Sequence, residues 1–103
     1  MSTITPLTVI KGTYLAPLED VDAKRDAHLA FLKDLVADGR TILGGRRNPP
    51  DGSILVFRGG DGDAVLQTMA NDPYVLAGVV AYELVGVFTP GTHAPELADF
   101  LAV

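Results

Sequence analysis

Cysteine is absent from the 103 residues. That removes a disulfide framework and any thiolate nucleophile or metal ligand. Basic residues are scarce, eight Lys and Arg against thirteen Asp and Glu, for a formal net charge of -5. Nucleic-acid binders carry a basic stripe, and no basic run here is longer than a pair such as Arg46-Arg47. The longest apolar stretch, Val75 to Phe88, is interrupted by Glu83 and falls short of the roughly 20 residues that span a bilayer. The N-terminus lacks the basic, apolar and small-residue series of a secretory signal. The expectation is therefore no nucleic-acid partner, no membrane, and a cytoplasmic setting that the lack of cysteine fits.

What is present is ordinary globular composition, 48% hydrophobic and 20% charged. The length suits a single domain over residues 1–103, with 91–103 a C-terminal tail or short helix. So small a domain buries only about 60–70% of its unfolded surface, and a partner chain would help to stabilise it.

Leu7 to Leu15 is rich in β-branched and aromatic residues and reads as a strand stopped by Pro17. Asp20 to Asp38 reads as one helix. Counting from His28, offsets 3, 4, 7 and 8 are Phe31, Leu32, Leu35 and Val36, one apolar stripe at helical period. Gly39 follows as a left-handed cap. Thr41 to Leu43 and Ser53 to Phe57 are short strands joined by a hairpin loop at Asn48-Pro49-Pro50-Asp51-Gly52. Asp61 or Asp63 caps a second helix running through Met69. Asp72, ahead of Pro73, is pushed toward extended geometry, so the chain is expected to turn there and enter a last strand, Val79 to Phe88. Pro95 to Leu101 suits a short terminal helix with Leu97, Phe100 and Leu101 inward.

The order β-α-β-β-α-β predicts an α+β fold, the ferredoxin-like split βαβ unit, with both helices on one face of a four-stranded antiparallel sheet. The last strand is apolar both ways: Val79, Ala81, Val85 and Val87 on one side, Val80, Tyr82, Leu84 and Phe88 on the other. A one-sided sheet alternates apolar with polar. The second face is therefore expected to meet the same face of another subunit.

His28 lies on the apolar stripe, so its ring points at the sheet. Asp72 enters the last strand near that helix. A carboxylate bonded to one imidazole nitrogen fixes the tautomer and raises the basicity of the other, an arrangement suited to general acid–base catalysis. The alternatives are a hydrogen-bonded core histidine and a carboxylate that organises a turn. Arg25, three residues before His28, can bind an anionic substrate group or pair with Asp72, or serve as a solvated charge. Arg46 bears on an anionic ligand if it faces the site, and otherwise flanks an exposed hairpin. Ser53 can donate into a pocket or simply start a strand. Tyr74 is a better ligand donor than Tyr82, which reads as core or interface. A metal site would need about three ligands, and the spacing of His28, His93, Asp72 and Glu83 supports none. No phosphate loop or dinucleotide fingerprint occurs.

Two segments carry a wider resemblance. Arg25-Asp26-Ala27-His28-Leu29, read R-x-x-H-L, is followed about forty residues later by Asp72-Pro73-Tyr74-Val75-Leu76-Ala77-Gly78 and Tyr82, read D-P-Y-x-x-A-G-x-x-x-Y. In this order and at this distance they resemble the YciI-like (YCII-related) family over roughly Val9 to Phe88. The resemblance implies a dimeric α+β barrel. It implies His28 and Asp72 as the active-site pair, with a basic residue at Arg25. Family members commonly have Gly-Pro where this chain has Gly45-Arg46, so that pocket wall is expected to differ. The few members with an assigned activity include an aromatic-degradation dehydrochlorinase.

Two functions follow. In the first, a cofactor-free homodimeric lyase or isomerase uses His28 as the proton-transfer group and Asp72 as its orienting partner. Its substrate is a small anionic metabolite held by Arg25, Arg46, Tyr74 and Ser53. In the second, a non-catalytic dimeric module binds a ligand or protein, and the His–Asp pair is structural.

Overall fold

Alternation governs the first strand. In β1 (Leu7–Tyr14), Thr8, Ile10, Gly12 and Tyr14 share one side, and Thr8 and Ile10 are fully buried. A computed structural model describes residues 4–102. Its other strands are β2 (Thr41–Arg46), β3 (Gly52–Arg58) and β4 (Val80–Phe88). They form one antiparallel sheet in the order β2-β3-β1-β4. The order, with two main helices on one face, fits a ferredoxin-like split βαβ unit.

The helix expected over 20–38 is two helices, α1 (Leu18–Asp22) and α2 (Arg25–Ala37). Lys24 leaves helical geometry at φ -105° and ψ 2°. Val21, His28 and Leu35 are the buried residues of the pair, and their spacing of seven runs straight through the break. Apolar periodicity therefore cannot reveal it. Val36, expected on the inner stripe, is exposed.

The α3 helix (Gly62–Met69) begins where Asp61 accepts from the Ala64 amide at 3.0 Å. Against expectation, the residues after Asp72 do not run directly into a strand. They form a one-turn helix, α4 (Pro73–Leu76), with proline in its first turn and Asp72 as its cap. Gly78, at φ +73°, then turns the chain into β4.

The core lies between the helices and one sheet face: Ile10, Leu55 and Phe57 meet Leu35 of α2 and Met69 of α3. Burying such side chains contributes about 1.5–3 kcal/mol each. A second cluster, Val21, Tyr74, Val79 and Val80, closes the sheet end beside α1 and α4. A bulge corrects the expected faces of β4. Ile10 pairs with Leu84 but Val9 with Gly86, so Val87, opposite Thr8, joins Tyr82 and Leu84 on the helix side. The other sheet face leaves Leu43, Ile54, Val85 and Phe88 exposed in the single chain.

The C-terminal segment forms a 3-10 turn (Pro95–Leu97) and α5 (Ala98–Leu101). It packs on its own chain: the Thr5 amide donates to the Leu101 carbonyl at 2.7 Å, and Arg58 Nη2 to the Phe100 carbonyl at 2.8 Å. Only Leu101 turns inward. Leu97 and Phe100 stay exposed, because the Arg58 guanidinium lies 4.4 Å over the Phe100 ring and holds it at the surface.

Candidate active site

Asp72 caps α4, so its carboxylate is drawn toward the first turn of that helix. Oδ1 accepts from the Tyr74 amide at 3.0 Å. Oδ2 accepts from the Tyr82 hydroxyl at 2.6 Å. His28, near the start of α2, brings Nδ1 within 3.0 and 2.8 Å of the two oxygens. Asp72 is wholly buried and His28 is 7% exposed. A carboxylate is acceptor-only, so facing it Nδ1 is the donor, and the lone pair of a neutral ring falls on Nε2.

Nε2 has no hydrogen bond among the described residues. The one sealed side-chain polar atom without a partner among them is Thr41 Oγ1, so Nε2 is not sealed, and His28 lines the cavity. The Tyr74 ring stacks on the imidazole, centroids 3.9 Å apart and planes 11° apart, which fixes the ring's second degree of freedom. Burial, followed by the bond to Asp72, pushes the Tyr82 phenol far above its ordinary range. Tyr82 therefore stays protonated and remains a donor.

The floor of the site is one cross-strand row. Arg46 pairs with Ser53, Ser53 with Gly12, and Gly12 with Tyr82. The missing side chain at Gly12 leaves room that Ser53 and the Tyr82 ring fill. A Cβ on Gly12 would stand 2.7 Å from Ser53 Oγ and 2.8 Å from Tyr82 Cε1. The cavity beside His28 is about 150 Å³, roughly the space that holds one benzene ring. His28 and Tyr74 line one part of it, and Arg25, Arg46, Ser53 and Tyr14 also contribute.

Arg46 is tied down. Its Nε donates to the Tyr14 hydroxyl at 2.9 Å and its Nη2 to Asp22 of α1. Those bonds, the one to Asp22 first, raise an already high guanidinium pKa further, so the charge is permanent. Arg25 has no ion pair among the described residues, which leaves its charge available to a ligand.

A family model described as the YCII-related domain matches residues 6–89. The chain belongs to the YCII-related family. It is also similar to the solved structure of 5-chloro-2-hydroxyhydroquinone dehydrochlorinase (TftG) from Burkholderia phenoliruptrix AC1100 in complex with 2,5-dihydroxybenzoquinone. That match has a TM-score of 0.55 and 22% identity, and covers 87% of this chain and 96% of that one. At this identity the likeness is one of fold. No curated protein matches the chain.

In this YCII-related chain the six residues singled out from sequence, His28, Asp72, Arg25, Tyr74, Arg46 and Ser53, come to one place: Asp72 behind His28, the others on the cavity wall. One alternative falls and one is corrected in part. Arg25 does not pair with Asp72, whose oxygens are taken by Tyr74, Tyr82 and His28. Arg46 flanks the hairpin as the last residue of β2, which runs three residues past the expected end at Leu43, but it is not a solvated hairpin charge: its side chain is 23% exposed and lines the cavity. Arg47 is the hairpin arginine, 3.3 Å from Asp51. Sequence reasoning missed Tyr14, Asp22 and the bond from Tyr82. The strand period of two does put Gly12 and Tyr14 on one face, a signal that was there to read. His93 lies apart and exposed, its Nδ1 2.9 Å from the Ala94 carbonyl. Among the described residues no group of three His, Asp or Glu is placed to hold a metal ion, and no helix is long and apolar enough to cross a membrane.

Proposed function

We propose that this protein is a small acid–base enzyme in which His28 carries a proton at Nε2 and Asp72 orients it. The reaction class is isomerisation or elimination on a small, anionic, cyclic metabolite. One observation carries the reading: the Asp72 carboxylate lies 2.8 Å from His28 Nδ1 while Nε2 is left unbonded and unsealed on a residue that lines a ring-sized cavity. A merely structural pair would leave Nε2 bonded or packed over. Arg25 supports an anionic substrate, with Tyr74 and Ser53 as further polar contacts and Arg46 holding the wall. Such a dyad contributes roughly 10²–10⁴ in rate when well placed. The similarity to a dehydrochlorinase complexed with a dihydroxybenzoquinone agrees with elimination from a ring. The same proposal includes a cytoplasmic homodimer closed into a barrel through the apolar sheet face.

Ring-nitrogen NMR of the histidines tests it, since the chain has two histidines. In Asp72→Asn the His28 ring nitrogens are expected to lose their single-tautomer signature, because Nδ1–H loses the carboxylate that holds it. His93 serves as the internal control. A His28 resonance indifferent to Asp72→Asn would remove the dyad and leave the binding-module reading.

A further inference from the structure

We propose that Tyr14 is a second catalytic residue of this site. Its hydroxyl, held by Arg46, donates a hydrogen bond to the carbonyl oxygen of an enolisable substrate while His28 takes the proton from the neighbouring carbon. The proposal rests on the acid–base reading of His28 and names the substrate class that reading left open.

Tyr14 and His28 line the same cavity. Arg46 Nε donates to the Tyr14 oxygen at 2.9 Å. A phenol has one proton of its own, and no acceptor among the described residues takes it. The proton is therefore free for a ligand, while the guanidinium holds positive charge against the same oxygen. Asp22 fixes the far side of the guanidinium, and the Tyr14 ring packs on the cluster of Val21, Tyr74 and Val80. Donor and support are thus organised before any ligand arrives. Preorganised donors aimed at a developing oxyanion supply the largest single term in many such reactions.

The other candidates fit less well. Arg46 has already committed Nε and Nη2. Burial raises the Tyr74 phenol above its ordinary range, which weakens it as a proton donor, and its ring is engaged in stacking on His28. Arg25 is an exposed charge at the start of α2, suited to holding a carboxylate or enolate.

The chemistry balances without a co-reactant. Nε2 of His28 takes a proton from the carbon next to the carbonyl. The C–H electron pair becomes the C=C bond of an enolate, and the oxygen charge is met by Tyr14. The imidazolium then returns the proton to another carbon of the conjugated system, an isomerisation. Alternatively the enolate pair expels a leaving group as an anion from the β-carbon and His28 gives its proton to solvent, an elimination.

The test uses the full chain and 2,5-dihydroxybenzoquinone, an enolic ring of the size of the cavity. Its ring hydrogens exchange with D₂O through the keto tautomer, and NMR follows their loss. Wild type, Tyr14→Phe and His28→Asn are compared, with circular dichroism confirming that each is folded. Wild-type acceleration that falls roughly 10²–10³-fold in Tyr14→Phe, and disappears in His28→Asn, supports the proposal. Acceleration lost in His28→Asn but unchanged in Tyr14→Phe overturns the role of Tyr14 and leaves His28 as an acid–base group. If wild type does not accelerate exchange at all, the substrate class is wrong and the proposal falls. The His28 ring-nitrogen spectrum in Asp72→Asn then reports separately on the dyad.

Discussion

The Tyr82 hydroxyl reaches Oδ2 of Asp72 at 2.6 Å by laying its ring across Gly12 of the neighbouring strand. One missing side chain on β1 therefore positions a carboxylate held by α4 and, through it, an imidazole on α2. Adding a methyl at residue 12 forces Tyr82 or Ser53 to shift. Gly12→Ala is expected to destabilise the fold by about 1–3 kcal/mol, the usual cost of overpacking, and to disturb the His28 resonance. Adding Ser53→Ala should recover part of the loss, since Ser53 Oγ is the nearest clash. Urea melts of the single and double variants measure both effects. An unchanged midpoint in Gly12→Ala would show that Tyr82 does not need this gap.

The raised Tyr82 phenol makes stability fall at high pH. Burial, then the bond to Asp72, holds the folded-state pKa far above the unfolded value of about 10. A group raised in this way stabilises the fold fully below the unfolded value. Above about pH 10 the unfolded chain loses the proton while the folded one keeps it, and stability declines by up to about 1.4 kcal/mol per pH unit. Urea midpoints from pH 9 to 11 should therefore drop less steeply in Tyr82→Phe than in wild type. Parallel curves would mean that other groups govern the alkaline limit. Tyr74, also raised by burial, accounts for a residual slope in the variant.

The two arginines of the cavity should separate by phenotype. Arg25 has no ion pair among the described residues, so Arg25→Ala should change stability by no more than about 0.5 kcal/mol. It should weaken binding of the 2,5-dihydroxybenzoquinone anion about tenfold, the scale of one charge-assisted hydrogen bond. Arg46→Ala strands Asp22 and the Tyr14 hydroxyl together and should lower stability as well as binding. Calorimetric titration alongside thermal melts distinguishes the two. Equal stability losses would contradict the division of labour.

The site was legible where it depends on local chemistry. Asp72 before Pro73 marks a carboxylate held at a chain turn, and His28 on the Phe31–Leu32–Leu35 stripe marks an inward ring. The two meet because α2 packs against α4, which follows from topology. The break at Lys24 was hidden because Val21, His28 and Leu35 keep helical phase across it. The α4 turn was hidden because the restriction that keeps Asp72 extended says nothing of Pro73 onward, where proline suits a first helical turn. Pairing of Tyr14 and Asp22 with Arg46 depends on α1 folding back over the sheet end. That long-range approach leaves no mark in residue spacing. The β4 bulge reversed Val87 for the same reason, since register is set between strands.

The uncovered sheet face supplies the last prediction. Leu43, Ile54, Val85 and Phe88 are exposed there, and Ile54, on central strand β3, pairs with Lys11 of β1. A patch of this kind marks an interaction surface. A second copy related by a two-fold axis presents the same patch to itself, so one substitution acts twice. Wild type should sediment at twice the 10.9 kDa mass of the chain. Ile54→Glu places two like charges in the middle of the closed interface and should yield monomer. A monomeric variant that keeps its circular dichroism and still binds the dihydroxybenzoquinone would show that each cavity is built from one chain. A wild type that sediments at 10.9 kDa at all concentrations would exclude the barrel.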